Sequence, residues 1–155
     1  MIAAHVRLDH ASCRVEADGA AYSFEVGSRT LALGITADPP QPEELTNAIG
    51  LVLDHLEDAS REVPAFELAE RIELAGPGVG TLADVEVGGA ATLPFELTRD
   101  AAEDLFRTLA TEAERDRRRN PGLPDALVHD VLGVACATVA LMRYLAAGAI
   151  WVVPA

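Results

Sequence analysis

The chain is 155 residues long, half of them hydrophobic, with 25 acidic side chains against 12 basic ones and a formal net charge of −13. The length fits one domain that can bury a real core, and the apolar content excludes disorder. The charge argues against nucleic acid and against an anionic membrane as partners, because both require clustered Lys and Arg.

Ala4 to Leu8 reads as a short strand that ends at Asp9-His10-Ala11. Ser12 to Ala17 alternates, with Cys13, Val15 and Ala17 on one face, as a half-buried strand does. Asp18-Gly19 is a two-residue hairpin signal, and Ala21 to Val26 alternates again. The chain therefore opens as an antiparallel meander of three strands. Asp38-Pro39-Pro40-Gln41-Pro42 breaks it and starts a helix, with Glu43 and Glu44 at the positive end of its dipole. Leu45, Ala48, Ile49, Val52, Leu53 and Leu56 form that helix's apolar stripe.

Arg71 to Ala75 is a fourth strand, and it runs into Gly76-Pro77-Gly78-Val79-Gly80-Thr81. A strand–glycine loop–helix can hold a phosphate on its backbone N–H groups, or it can simply turn a corner. Pro77 removes one of those donors. Thr81 to Val87 reads as a short helix stopped by Gly88-Gly89. Thr98 caps the next helix, whose buried stripe is Ala102, Leu105, Phe106 and Leu109. Thr111-Glu112-Ala113-Glu114 has capping-box spacing for a further short helix. Arg115, Arg117, Arg118 and Arg119 follow, interleaved with acids, and read as a solvated helix face. After the loop Asn120 to Pro124, one long helix is expected from Asp125 to Ala147, ended by Gly148, and then a last strand from Ala149 to Val153.

Cys13 and Cys136 show no CxxC spacing and read as buried free thiols. Met1 to His10 lacks the basic start and apolar run of a signal peptide, so the expected location is cytoplasmic. His5, His10, His55 and His129 could serve hydrolytic chemistry only with a nucleophile motif that the sequence does not contain.

The order β-β-β-α-β-α-α-α-β is that of an α/β, ribonuclease H-like half-domain, the building block of the actin, sugar kinase and Hsp70 superfamily. It is a mixed five-stranded sheet with helices on its faces. Several stretches resemble the exopolyphosphatase and guanosine pentaphosphate phosphatase (Ppx/GppA) family. Ser23 to Leu31 resembles the strand and turn after that family's second phosphate loop, and Pro39 to Leu45 its next helix start. Gly78-Val79-Gly80-Thr81-Leu82-Ala83 resembles its glycine-rich loop, and Leu97-Thr98 begins the matching helix. Arg119 to Pro124 and Asp130-Val131-Leu132 resemble its Pro-Gly-Leu loop and final core helix, with Ile150 to Val153 in the place of its last strand.

The resemblance covers the second lobe of a two-lobed core. It implies that the first lobe, with its phosphate loop and water-activating glutamate, is not provided by these residues. The family's second phosphate loop, Asp-x-Gly-Gly-Gly-Ser, reads here Asp9-His10-Ala11-Ser12-Cys13-Arg14, so its glycines are gone. No catalytic residue is expected. The candidate phosphate ligands are Asp9, Ser12, Gly76, Gly78, Gly80 and Thr81, with Asp9 the one candidate for Mg²⁺ and no other cofactor. Two readings follow. In the first, a degenerate single lobe acts by association, as a homodimer or with a protein partner. In the second, it binds phosphate, nucleotide or polyphosphate, or forms half of a phosphatase completed by oligomerisation.

Overall fold

In the computed structural model, which describes residues 1–155, β1 (Ala3–Leu8), β2 (Cys13–Ala17) and β3 (Ala20–Phe24) form the expected antiparallel meander. Asp18 and Gly19 turn the corner between β2 and β3 with φ of 50° and 80°, the positive values that a two-residue hairpin requires. Then follow α1 (Ser28–Leu33), α2 (Pro42–Glu62), β4 (Arg71–Ala75), α3 (Val79–Val87), β5 (Phe95–Thr98), α4 (Arg99–Thr111), α5 (Glu114–Arg117), α6 (Asp130–Leu145) and β6 (Ala149–Val152). β4 runs parallel to β1 and to β6, and β5 runs antiparallel to β6. The sheet order is β3-β2-β1-β4-β6-β5.

The sheet thus has six strands where five were expected. The additional one, β5, is four residues that end on the residue capping α4, and the sequence shows only the cap. Thr98 does cap α4, its hydroxyl accepting the Ala101 N–H at 3.2 Å. β3 ends at Phe24 rather than Val26, and the segment expected to continue as a turn forms α1 instead.

Alternation along the strands puts Ala4, Val6, Leu8, Val15, Ile72, Leu74, Ile150 and Val152 on one face, where the helices bury them. α6 is the centre of that layer. Every residue from Val131 to Met142 is buried, as expected of a helix apolar or small on nearly every side. The opposite face carries polar side chains paired with one another or with an aromatic ring. His5 meets Glu73 at 3.0 Å, Arg14 meets Glu16 at 3.3 Å, and the Arg71 guanidinium lies 4.5 Å over the Trp151 ring. No helix is long and apolar enough to cross a membrane.

The expected helix from Asp125 to Ala147 is shorter. Residues Asp125–Leu127 make a 3-10 turn, and α6 starts only at Asp130. The Val128 carbonyl accepts Arg117 Nη1 at 2.8 Å, so it is held by a side chain from outside the helix. At the other end Ala146, not Gly148, turns the chain with φ of 49°, its N–H bonded to the Arg143 carbonyl and that of Ala147 to the Met142 carbonyl. α5 also forms, but Thr111 does not cap it. The Thr111 hydroxyl donates back to the Arg107 carbonyl at 2.8 Å, and the Glu114 N–H is taken by Asp38 at 2.7 Å.

One basic side chain departs from its expected place on a solvated face. Arg117 is 2% exposed, and it donates to the carbonyls of Leu109, Glu112 and Val128 at 3.2, 3.0 and 2.8 Å. Arg115, Arg118 and Arg119 are exposed.

The segment before α2 is tied down by a single carboxylate. Glu44 accepts the N–H groups of Thr36, Ala37 and Gln41 and the Thr36 hydroxyl, at 2.6 to 3.2 Å. These donors favour its charged form and hold its pKa down at about 2. A depressed carboxylate stabilises the fold above its unfolded pKa and loses that effect as pH falls through the folded value. Wild type and Glu44→Gln should therefore differ in Tm fully above about pH 5, the difference fading toward pH 2. A pH series of thermal melts of the two proteins checks this.

Candidate functional site

Two loops meet at the carboxyl ends of β1 and β4, the place where open α/β sheets hold ligands. The first follows β1. The Asp9 N–H donates to the Ser12 carbonyl at 2.9 Å, closing a tight turn. Behind it runs Gly27, where an added Cβ would overlap the backbone of Asp9, His10 and Ala11. This close approach delivers the start of α1 to the turn. The Ser28 N–H donates to the Asp9 carbonyl at 3.0 Å, and those of Arg29 and Thr30 donate to the His10 carbonyl at 2.9 and 3.3 Å. The N-terminal donors of α1, the groups that would hold an anion, are thus spent on the loop's own carbonyls.

The second loop follows β4. Gly76 has φ of 139°, and a Cβ there would overlap the Leu8 carbonyl oxygen, so the close approach of the chain after β4 to the end of β1 demands glycine. Gly78, with φ of 85°, precedes α3, and Thr81 is 7% exposed within its first turn. Gly78 and Thr81 line one narrow cleft with His10, Ser28, Asp130 and Val134, and it holds no water-sized space.

The expected residues therefore divide. Gly78 and Thr81 reach the junction of the loops. Gly76 sits beneath it as a spacer. Gly80 faces the Leu93 side chain, and Ser12 contributes its backbone to the first turn. Asp9 turns its carboxylate to Arg7 at 3.0 Å. No group of three or more His, Cys, Asp or Glu side chains is arranged as a metal cluster, and the Asp9 carboxylate is paired with Arg7.

Residues not singled out as ligands complete the junction. Asp130 accepts both Arg29 Nε and Nη2, at 3.0 and 2.9 Å, and so binds α1 to the start of α6. His10 has a buried Nδ1 without a hydrogen-bond partner. Ser28, 1% exposed, lies inside Gly27-Ser28-Arg29-Thr30, where the Thr30 hydroxyl accepts the N–H of the capping Gly27 at 3.1 Å. The Cys13 thiol, where the family's loop has a glycine, is pushed up to about 12 by burial and by the Asp9 charge, which removes it as a nucleophile. The four histidines find separate surroundings: His5 on Glu73, His10 in the first loop, His55 stacked on Phe24, and His129 donating to the Ala32 carbonyl.

No family model matches the sequence, and no curated protein matches it. Solved structures do match the fold. An exopolyphosphatase-like protein superposes with a TM-score of 0.89 at 18% identity, over 98% of this chain and 55% of that one. A Ppx/GppA phosphatase from Aquifex aeolicus gives 0.83 at 16% identity over 99% and 53%, and an exopolyphosphatase from Cytophaga hutchinsonii gives 0.76 at 15% over 99% and 53%. The chain spans just over half the length of each. It has the fold of one lobe of the Ppx/GppA phosphatase core, as the quoted stretches of sequence implied.

Proposed function

We propose that this chain is a degenerate Ppx/GppA-like lobe that performs no phosphatase chemistry and acts by association, as a homodimer or with a protein partner. The observation that supports this reading best is the closed junction between the two loops. Holding a phosphate takes free backbone donors and room for its oxygens. The donors of α1 are bonded to Asp9 and His10, and the narrow cleft lined by Gly78, Thr81, His10 and Ser28 has no room for a water molecule. Phosphate, nucleotide or polyphosphate binding would require this junction to open and Asp9 to leave Arg7.

Titration calorimetry with polyphosphate and with nucleoside triphosphates, each with and without Mg²⁺, tests the reading beside an assay of phosphate release. No binding heat and no release are expected. Saturable heat that is lost in Thr81→Val would replace this reading with that of a phosphate binder, and Mg²⁺-dependent release with that of a hydrolase.

A further inference from the structure

β4 and β6 run side by side but are paired only at Glu73 with Trp151 and Leu74 with Val152, whereas β4 and β1 are paired at five positions. The Leu74 carbonyl accepts the Val153 N–H at 3.0 Å, so Leu74 turns its polar groups toward β6 and Val153 turns its own toward β4. Every second residue of a strand points the same way, which makes Ile72 and Ala149 face the gap as well. A pair of Ile72 with Ile150 would bond the Ile72 N–H to the Ala149 carbonyl, and the ladder stops before it. The Ala149 carbonyl is therefore left facing the space between the two strands.

That space belongs to a cleft of about 300 Å³ at the amino ends of β4 and β6, away from the junction of the two loops. Ala69 to Ile72 form one wall and Leu145 to Ala149 the other, with Trp151 beside them. After Ala146 has turned the chain, no N–H bonds the carbonyls of Leu145, Ala146 or Ala147. They lie at the negative pole of the 16-residue helix α6. The one basic residue of its last turn, Arg143, is turned to Glu103 at 2.6 and 2.9 Å. Glu70 adds an exposed carboxylate to the opposite wall. Arg71 is the one cation of the lining, and it is held by Glu73 at 2.9 Å and lies over the Trp151 ring.

We infer that this cleft binds a primary ammonium group on a short alkyl chain. An ammonium has three N–H donors and no acceptor, which suits unbonded carbonyls beside one carboxylate. Each hydrogen bond that it donates there is charge-assisted. An anion would meet the same oxygens and Glu70 unfavourably. Glu70 alone is too little for a divalent metal ion, and no metal cluster is formed here. The alkyl chain has Leu145 and Ala147 to lie against. The chemistry is that of a free alkylamine and equally that of a lysine side chain of a partner protein. The negative charge of the molecule draws either toward it.

NMR titration of the whole chain with n-butylammonium chloride, at an ionic strength held constant with sodium chloride, tests the inference. Saturable shifts are expected at the amides of Glu70 to Ile72 and Ala146 to Ala149, and none with n-butanol, which has the same chain without the charge. Glu70→Gln should weaken binding about tenfold, and Ala149→Leu, which narrows the cleft, at least as much. Glu43→Gln removes another exposed carboxylate, at the start of α2, and should change nothing. Nα-acetyl-lysine methyl amide separates the two sources. Binding tighter than that of n-butylammonium assigns the cleft to a lysine of a protein, and equal or weaker binding to a free amine. Absence of saturable shifts overturns the inference. So do shifts spread over the acidic surface, equal shifts with n-butanol, an affinity that Glu70→Gln and Ala149→Leu leave unchanged, or a loss in Glu43→Gln as large as that in Glu70→Gln.

Discussion

Gly133→Ala is expected to destabilise the fold by about 3 kcal/mol and to lower Tm by about 10 °C. Gly133 lies in the buried centre of α6, and an added Cβ would overlap the carbonyl of Ser28, the first residue of α1. Neither backbone is free to retreat. The Ser28 N–H is bonded to Asp9, and α6 is buried along its middle turns. The strain should reach the first loop through that same hydrogen bond. Gly50→Ala is the matched contrast. Gly50 lies mid-way along α2 with nothing within 4 Å of an added Cβ. That change should raise stability by about 0.5–1 kcal/mol through helix propensity and a less flexible unfolded chain. Calorimetric melts of the two variants check both signs.

Arg117→Met should cost about 3–4 kcal/mol, read as a lower midpoint in urea with the same slope. The guanidinium is buried, and its hydrogen-bond acceptors are backbone carbonyls rather than a carboxylate. Two of them, from Leu109 and Glu112, lie at the C-terminal end of α4, the negative end of its dipole. Burial pulls the arginine pKa down, while Asp38, Glu112 and Glu114 push it up. Removing the side chain leaves the three carbonyls buried without donors. Arg117→Lys should recover only part of the loss, because one ammonium cannot reproduce a planar fork that reaches the C-terminal end of α4 and the entry to α6 together.

The contrast between Arg117 and its neighbours shows where sequence reading stops. Four arginines interleaved with acids read as a solvated helix face, but which one turns inward is decided by carbonyls that other segments supply. α1 was hidden for a similar reason. Its capping acceptors are the backbone carbonyls of Asp9 and His10, so no side-chain signal precedes it. Elements whose cause is local were legible: the Asp18-Gly19 hairpin, the amphipathic stripe of α2, the Thr98 cap and the apolar run of α6. β5 was missed because four residues carry too little alternation to separate from the cap that follows.

At the candidate site the sequence placed the glycine loop and the degenerate turn after Asp9. The closing of the junction was not legible. It depends on Gly27 and Gly133, which carry no phosphate signature yet allow α1 to press against both the turn and α6. Gly76, read as a turn residue, is fixed by the carbonyl of Leu8 on the neighbouring strand.

The position of β6 bears on how the molecule is made. β6 lies inside the sheet, between β4 and β5, although it is the last strand in chain order. A polypeptide emerging from the ribosome therefore presents β5, and then α6, before the strand that joins β5 to the rest of the sheet has emerged. Until β6 has emerged, β4 and β5 are both unpaired edges, the kind of surface on which nascent chains associate. The strong negative charge of the chain then acts on its own synthesis, keeping neighbouring unfinished copies apart until the gap in the sheet is filled.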